Sequence, residues 1–134
     1  MQHDFTIICE DIRQEIGRKL SLMGMYDEAI IFKRVPARLA KLCMYQRWSG
    51  SDQPQKARVL LRGSALSGSF VAHGARDLEH YNPDVKRANV MIVFAPLDVV
   101  DVGEIELVTY FDESDLPSHT HRIEIRVDPD LRLE

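Results

Sequence analysis

Apolar and polar residues alternate most regularly near the end of the chain. Between residues 119 and 127 three charged side chains alternate with three apolar ones, in the order Arg122, Ile123, Glu124, Ile125, Arg126 and Val127. A period of two is the signature of a β-strand with one buried face and one solvated face. The run 104–111 is also rich in strand-forming residues, and an acidic loop joins the two runs. A sheet with one solvated face is typical of antiparallel all-β proteins rather than of buried parallel sheets.

Short apolar runs bounded by turn-forming residues recur along the rest of the chain. Besides the final pair, we predict strands at residues 5–9, 19–26, 29–32, 42–48, 58–62, 70–71 and 89–94. The run 89–94 is almost continuously apolar, which predicts a strand in the centre of its sheet. The spacing of the turns predicts a single domain, residues 1–134, with the fold of an antiparallel β-sandwich of about eight or nine short strands, immunoglobulin-like or C2-like.

Residues 11–26 allow two interpretations. Ile12, Ile16 and Leu20 are spaced by four and would share one face of a helix. Gly17 would lie inside that helix, where glycine costs about 1 kcal/mol relative to alanine. In a hairpin turn the same glycine supplies a positive φ at no cost. We therefore expect a hairpin whose return strand is 19–26.

The prolines predict breaks between strands. Proline lacks a backbone N–H and restricts the preceding residue, so the segment 34–38 around Pro36 is expected to be a connection or a strand edge. Pro96 is expected to end the strand at 89–94, with Val99 and Val100 in the connection that follows. Residues 75–86 carry few apolar anchors and are expected to form the longest loop.

Composition is that of an ordinary globular domain. Of the 134 residues, 45% are hydrophobic and 28% are charged, close to the average for soluble proteins. Cys9 and Cys43 both lie in apolar runs, which predicts buried, reduced thiols. The N-terminus resembles no signal peptide, and no run approaches the ~18 apolar residues of a membrane span. A cytoplasmic protein with no membrane contact is expected.

Charge is distributed unevenly over the chain. Residues 1–67 carry 11 Lys or Arg and 7 Asp or Glu (+4), and residues 68–134 carry 6 and 14 (−8), which together give the net charge of −4. If the halves form different faces, the molecule is a dipole suited to an oriented partner. If strands from the two halves interleave, as Greek-key connections favour, the asymmetry averages out.

The stretch Cys9 to Tyr26 resembles the N-terminal signature of an uncharacterised family of short bacterial and phage proteins. Its shared features are an acidic pair followed by Arg and Glu, then Gly-x-Lys-Leu-x-Leu-x-Gly and an aromatic residue, here residues 10–26. Pro36, the segment 39–42, Pro96-Leu97 and Gly103 extend the resemblance thinly over most of the chain. It implies a small cytosolic all-β domain and supports the hairpin over the helix. It implies no catalytic residues.

Two histidines of the last strand are candidate metal ligands. His119 and His121 share one face of this strand, where two imidazoles could reach one ion. They share that face with Ile123, so we expect them at the rim of the core. Zinc needs at least a third ligand, and the candidates for it are His73, His80 and Asp115, none of which is at motif spacing.

Acidic loops offer an alternative site for calcium. The loop carboxylates are Asp98, Asp101, Asp112, Glu113 and Asp115. Ca²⁺ prefers several oxygen ligands, and a β-sandwich could bring the two loops together at one end. No run has the spacing of an EF-hand, and solvated turn residues explain the same pattern.

Motifs for catalysis are missing from the sequence. Residues 63–68 do not match Gly-x-Ser-x-Gly, and there is no phosphate-binding or dinucleotide-binding glycine loop. We predict no cofactor and no enzymatic activity, although a triad assembled from distant residues stays possible.

Surface binding is the largest remaining class of function. The stretch 33–41 carries four cations, Lys33, Arg34, Arg38 and Lys41. With Tyr45 and Trp48 nearby it could contact nucleic acid, but the acidic total opposes this. Edge strands can accept a partner strand, and aromatic residues are enriched at interfaces. The predicted interaction residues are Tyr26, Trp48, Arg34 and Arg38, with Phe32, Tyr81 and Tyr110 as further aromatic candidates.

We therefore predict a non-catalytic protein-interaction or assembly module of a bacterial or phage cytosolic system. Its partner would be another protein or a second copy of the chain. The alternative is a β-sandwich domain that binds a ligand or a metal, Ca²⁺ or Zn²⁺, at one end.

Overall fold

The computed structural model describes residues 1–17, 19–50, 56–74 and 86–131. Strands account for 67% of the chain, and the described residues contain no helix. The chain is therefore all-β, as the alternation of its side chains predicts. Its strands are β1 (Gln2–Glu15), β2 (Lys19–Tyr26), β3 (Ala29–Phe32), β4 (Ala37–Leu39), β5 (Leu42–Ser49), β6 (Ala57–Arg62), β7 (Phe70–Gly74), β8 (Arg87–Phe94), β9 (Leu97–Val99), β10 (Gly103–Phe111) and β11 (His119–Val127).

The strands form three sheets. A four-stranded sheet has the order β2-β1-β5-β8, a five-stranded sheet has the order β3-β11-β10-β6-β7, and β4 pairs with β9. All these pairs are antiparallel except β3 with β11, which is parallel, so the prediction of a purely antiparallel protein is wrong at this one pair. Both larger sheets take strands from both halves of the chain, and the two halves interleave.

A single core cluster takes side chains from both larger sheets. Trp48 on β5 meets Phe111 on β10 edge to face, with ring centroids 4.8 Å apart, and both belong to this cluster. Gln46 on β5 is fully buried beside them, and its Oε1 accepts hydrogen bonds from Trp48 Nε1 and from Thr109 Oγ1, each at 3.1 Å. Buried polar groups need such partners. We call the face of each sheet that supplies the core its inner face.

The hairpin predicted for residues 11–26 is confirmed. β1 and β2 pair from Ile8↔Tyr26 to Glu15↔Lys19, and Gly17 in the turn has a φ of 81°. This left-handed value is one that glycine adopts without a Cβ clash. β1 pairs with β5 as far as Cys9↔Cys43, so residues 10–15 of the hairpin extend past this pairing.

Two short strands lie where connections were predicted. β4 begins directly after Pro36 and β9 directly after Pro96, and both prolines follow cis peptide bonds. A proline blocks pairing at its own nitrogen, but a strand can start after it. The prediction of a connection at Val99 is therefore wrong, whereas the segment 34–38, predicted to be a connection or a strand edge, overlaps the start of β4.

The prediction that residues 89–94 form a central strand is also wrong. β8 is the last strand of the four-stranded sheet among the described residues. Its burial alternates, with Val90 and Ile92 buried and Val93 53% exposed. The continuous apolar pattern thus reflects one face in the core and one apolar face outside it. The loop predicted at 75–86 lies, except for Lys86, outside the described residues.

Candidate interaction surface

Three histidine rings gather at the border of the core. His119 stacks on His3 with ring centroids 3.6 Å apart and an angle of 13° between the planes. The ring of His121 lies 6.4 Å from that of His119, and His3 contacts Trp48 edge to face at 5.2 Å. Both predicted histidines are half-buried, next to the fully buried Ile123, so their expected place at the rim of the core is confirmed.

The environment of these rings favours their neutral form. Burial, with further contributions from His3 and His121, lowers the pKa of His119 to about 4. Burial also lowers the pKa of His121 and of His3. A charged imidazolium loses hydration in such a place, and neighbouring imidazoles repel it. His3 Nε2 lies 2.6 Å from Thr6 Oγ1, whereas His119 Nε2 is buried without a hydrogen-bond partner among the described residues.

The other two predicted metal ligands lie in a different cleft. Asp112 and Asp115 line a cleft of about 380 Å³ together with His73 and Arg58. Asp112 Oδ1 accepts a hydrogen bond from the backbone N–H of Lys56 at 3.0 Å. This carboxylate therefore links the residue that follows β10 to the residue that precedes β6. Across residues 1–17, 19–50, 56–74 and 86–131, no group of three or more His, Cys, Asp or Glu side chains could hold a metal ion. His80 lies outside these ranges.

The two acidic loops are not brought to one end of the molecule. Asp98 and Asp101 precede β10, and Asp112, Glu113 and Asp115 follow it. A nine-residue strand separates its ends by about 30 Å. The alternative calcium site, which requires the two loops at one end of the molecule, is therefore contradicted, and the explanation of solvated turn residues is left. Asp98 is instead bound by the Arg38 guanidinium at 2.7 Å.

The four predicted interaction residues are distributed over different parts of the molecule. Trp48 is 1% exposed and lies in the core, where a partner could not reach it. Tyr26 and Arg38 line one cleft of about 410 Å³. Arg34 is exposed and lines a separate cleft with Lys33 and Pro129. Tyr81 lies outside the described residues.

Charges around the cleft of Tyr26 and Arg38 are internally paired. Lys41 Nζ lies 2.8 Å from Asp11 Oδ1, and Arg38 is bound to Asp98. Tyr26 donates a hydrogen bond to Glu10 Oε1 at 3.4 Å. Burial and the Glu10 carboxylate raise the pKa of Tyr26 to about 12, so the phenol stays protonated. Two of the four cations of the basic stretch are thus already occupied.

The outer face of the four-stranded sheet is mostly apolar. Successive side chains of a strand point to opposite faces of its sheet, so the residues on either side of a core residue point outward. We call this surface the apolar face. Its members, taken from the registers of the four strands, are Phe5, Ile7, Cys9, Met25, Cys43, Tyr45, Arg47, Asn89, Met91 and Val93.

Several side chains of the apolar face are open to solvent. Met25 is 65% exposed and Val93 is 53% exposed. Phe5, Ile7 and Met91 are half-buried, and Phe5 packs on the Tyr45 ring with centroids 5.8 Å apart. Contiguous apolar patches of this kind mark interaction sites, whereas isolated exposed apolar residues are common everywhere.

The two cysteines lie in the middle of the apolar face. Cys9 and Cys43 are opposite each other on β1 and β5, and both are free, buried thiols, as predicted. Burial raises the pKa of each thiol. The thiol, which packs as a small hydrophobe, is therefore the form present at neutral pH.

The outer face of the five-stranded sheet carries a network of paired charges beside an apolar row of Val71, Leu60 and Val108. Glu106 on β10 lies 3.3 Å from Arg62 on β6 and 3.3 Å from Arg122 on β11, and Arg126 lies 2.8 Å from Glu124. We call this surface the charged face. Its ion-pairing residues are Arg62, Glu104, Glu106, Arg122, Glu124 and Arg126. The exposed apolar residues of the same outer face, Ile31 and Val71, lie on its edge strands β3 and β7.

Ile7, Tyr45, Met91 and Val93 were not singled out as interaction residues from the sequence. A signal for them was present in the apolar run 89–94, where both alternating sets are apolar. Such a pattern predicts that both faces of the strand are buried, but it does not show whether the same chain or another protein covers the second face.

Comparison with known proteins assigns no family: no family model matches the chain, and no curated protein matches it.

Among the described residues, no helix is long and apolar enough to cross a membrane.

Proposed function

We propose that this protein is a non-catalytic protein-interaction or assembly module of a bacterial or phage cytosolic system. The proposal includes a β-sandwich, in which the four-stranded and five-stranded sheets pack through their inner faces, as in immunoglobulin-like or C2-like domains. The shared core, with Trp48 of one sheet against Phe111 of the other, supports this arrangement.

The observation that carries the proposal is the difference between the two outer faces. Both belong to sheets of one small domain, but one carries a network of paired charges, whereas the side chains of the other are mostly apolar. Burial of apolar surface is worth roughly 25 cal/mol per Å², so exposure of Met25 and Val93 costs free energy that a partner would recover. The types on the apolar face, aromatic residues, Met and Arg, are those enriched in interface cores.

A matched pair of substitutions tests the proposal. Val93 on β8 and Val71 on β7 are 53% and 54% exposed, and each lies on an edge strand of its sheet. Val93 belongs to the apolar face, whereas Val71 is outside it. A tagged wild-type protein, Val93→Glu and Val71→Glu should be captured from the native host lysate at moderate salt, and the mass of each complex measured.

We expect Val93→Glu to lose the complex and Val71→Glu to keep it, because only the first places a charge inside the interface. Thermal unfolding of both variants serves as the control for folding. Equal complexes for the three proteins, or equal loss in both variants with the fold intact, would show that the apolar face is not the binding surface.

A further inference from the structure

One corner of the four-stranded sheet lacks part of a strand. β2 pairs with β1 only as far as Ile8↔Tyr26, whereas β1 itself begins at residue 2. After Tyr26 the chain crosses to the five-stranded sheet, where Glu28 O accepts a hydrogen bond from the backbone N–H of Glu124 at 3.1 Å. No strand of the described part of the chain therefore covers the edge of β1 over residues 2–7.

Two residues of β1 direct their backbone groups to this free edge. The Cys43 thiol on β5 donates to the backbone oxygen of Glu10 at 3.7 Å, so the backbone of Glu10 faces β5. Successive residues of an antiparallel strand direct their N–H and C=O groups alternately to its two sides. Phe5 and Ile7, at odd positions, thus face the free edge. Unpaired backbone groups at an edge accept a strand from another chain.

A cleft follows the same edge. Three successive residues of β1, Thr6, Ile7 and Ile8, line a space of about 430 Å³. Because neighbouring side chains of a strand point to opposite faces, a cleft lined by three in succession follows the edge of the strand and not one of its faces. A further strand would lie about 4.8 Å from β1, which places it in this cleft.

We propose that the partner contributes an extended, mostly apolar segment with a cationic group at one end, which pairs with the free edge of β1 in this cleft. This inference rests on the proposed function and names the form of the partner. In strand addition of this kind, main-chain hydrogen bonds give affinity and the contacts of alternate side chains give specificity. An antiparallel segment would continue the line of β2 beyond Tyr26.

The walls of the cleft determine which side chains the segment carries. Side chains that point inward would meet Ile8, Tyr26 and His121. Burial lowers the pKa of His121, so its ring is neutral at neutral pH and suits an apolar neighbour. Side chains that point outward would lie beside Ile7 and Met25, which also belong to the apolar face. The added strand would therefore extend the apolar face by one strand.

A carboxylate marks one end of the cleft. Among the described residues that line the cleft, Asp27 alone is charged at neutral pH, and its side chain is exposed. In an antiparallel segment the N-terminal end would lie beside Asp27, since β2 runs toward this position. An amino terminus, a lysine or an arginine at that end complements the carboxylate, and such complementarity fixes the direction and register of a bound segment.

Two other edges are less favoured. Gly24 in β2 has a φ of 66°, far from the extended values of a regular strand. β3, at the edge of the five-stranded sheet, has only four residues. Irregular and very short edge strands both oppose the addition of another strand. Binding at β2 or β3 is therefore a contrary outcome of the test.

Peptide selection followed by amide hydrogen exchange tests the proposed site. Phage-displayed random heptapeptides would be selected on the immobilised full chain, and the strongest binder added to the isotope-labelled protein for NMR. We expect the Ile7 amide to exchange rapidly in the free protein and at least tenfold more slowly with the peptide in excess. The amides of Thr6 and Ile8, which face β5, should exchange slowly in both states.

Three changes separate strand addition from other binding. Methylation of alternate peptide nitrogens should weaken binding at least tenfold, because the methylated groups cannot donate to β1. Asp27→Lys should weaken binding severalfold and remove its salt dependence. Glu28→Lys is the matched control, since Glu28 is exposed but does not line the cleft. Ile7→Pro, which removes an edge-facing N–H, should abolish binding, with thermal unfolding as the control for folding.

The outcomes distinguish this inference from the proposed function. A selection that enriches no peptide, protection that appears on β2 or β3, or binding unchanged by methylation would each overturn the edge site. If the complex in lysate is then still lost in Val93→Glu and kept in Val71→Glu, the apolar face binds its partner without strand addition. If the peptide protects Ile7 but Val93→Glu keeps the complex, the edge site stands and the apolar face is not the binding surface.

Discussion

The two outer faces of this protein both belong to β-sheets of similar size, but their chemistry differs. On the charged face Glu106 is held between Arg62 and Arg122, and water can solvate every pair. On the apolar face the corresponding positions carry side chains such as Ile7, Tyr45 and Val93. A sheet therefore does not determine by itself which of its faces is solvated. The side chains of its second face show whether water or another protein is the expected neighbour.

Replacement of Trp48 gives the largest expected effect, and it tests whether this residue belongs to the core or to an interface. Trp48→Ala should lower the free energy of unfolding by about 3–5 kcal/mol, because it leaves a cavity in the shared core. Urea unfolding of the purified protein measures this loss, and Trp48→Phe is the conservative control. A Trp48→Ala variant with wild-type stability but no assembly would place the indole in the interface. This result would contradict the assignment of Trp48 to the core.

Acid should destabilise the fold through the histidine cluster, which lies beside the core and on neither outer face. The pKa of His119 falls from its usual 6.5 to about 4 in the folded protein. The neutral ring of His119 contributes fully to the free energy of unfolding above pH 6.5. This contribution decreases as the pH falls toward 4, because the unfolded chain then binds the proton more readily than the folded protein does. For a partly exposed ring we expect a loss of about 1–2 kcal/mol.

Unfolding free energies at pH 7 and pH 5 measure this effect, and His119→Gln should reduce the difference between them. His73→Gln is the matched control, since His73 is exposed on β7. A pH dependence that is unchanged in His119→Gln would mean that other groups cause it.

The smallest effect is expected on the charged face. Glu106→Gln removes the partner of both Arg62 and Arg122, but exposed ion pairs contribute less than about 1 kcal/mol and are screened by salt. Unfolding at low and high salt should show a small loss that decreases with salt. Glu113→Gln, where the carboxylate lies 3.9 Å from Lys56, should show no loss. A large, salt-independent loss at Glu106 would mean that the charged face is structural rather than solvated.

Much of the fold could be predicted from the sequence because the side-chain period of a strand is local. The predicted bounds of β2, β3 and β11 agree with the structure, and Gly17 indicated the first hairpin. The parallel pairing of β3 with β11 joins segments about a hundred residues apart, and local patterns carry no information on it. β4 and β9 could not be predicted in this way because each follows a proline, a residue that normally indicates the end of pairing.

The candidate surface was harder to predict than the fold. Aromatic type drew attention to Trp48, which the structure buries, because an aromatic side chain suits a core and an interface equally. The apolar pattern of residues 89–94 identified two apolar faces but assigned both to the interior. A sequence pattern indicates that a face avoids water, and only the exposures of Met25 and Val93 in the structure show that part of this face is open.

The central claim, that another protein covers the apolar face, is tested most directly by hydroxyl-radical footprinting with mass spectrometry. The purified, dilute protein would be compared with the same protein in its native host lysate. We expect Met25 and Val93 to be labelled when the protein is dilute and protected in lysate, while Val71 and Leu116, both exposed, are labelled equally in the two. Met25 and Val93 labelled as readily in lysate as in isolation, relative to Val71 and Leu116, would contradict the claim.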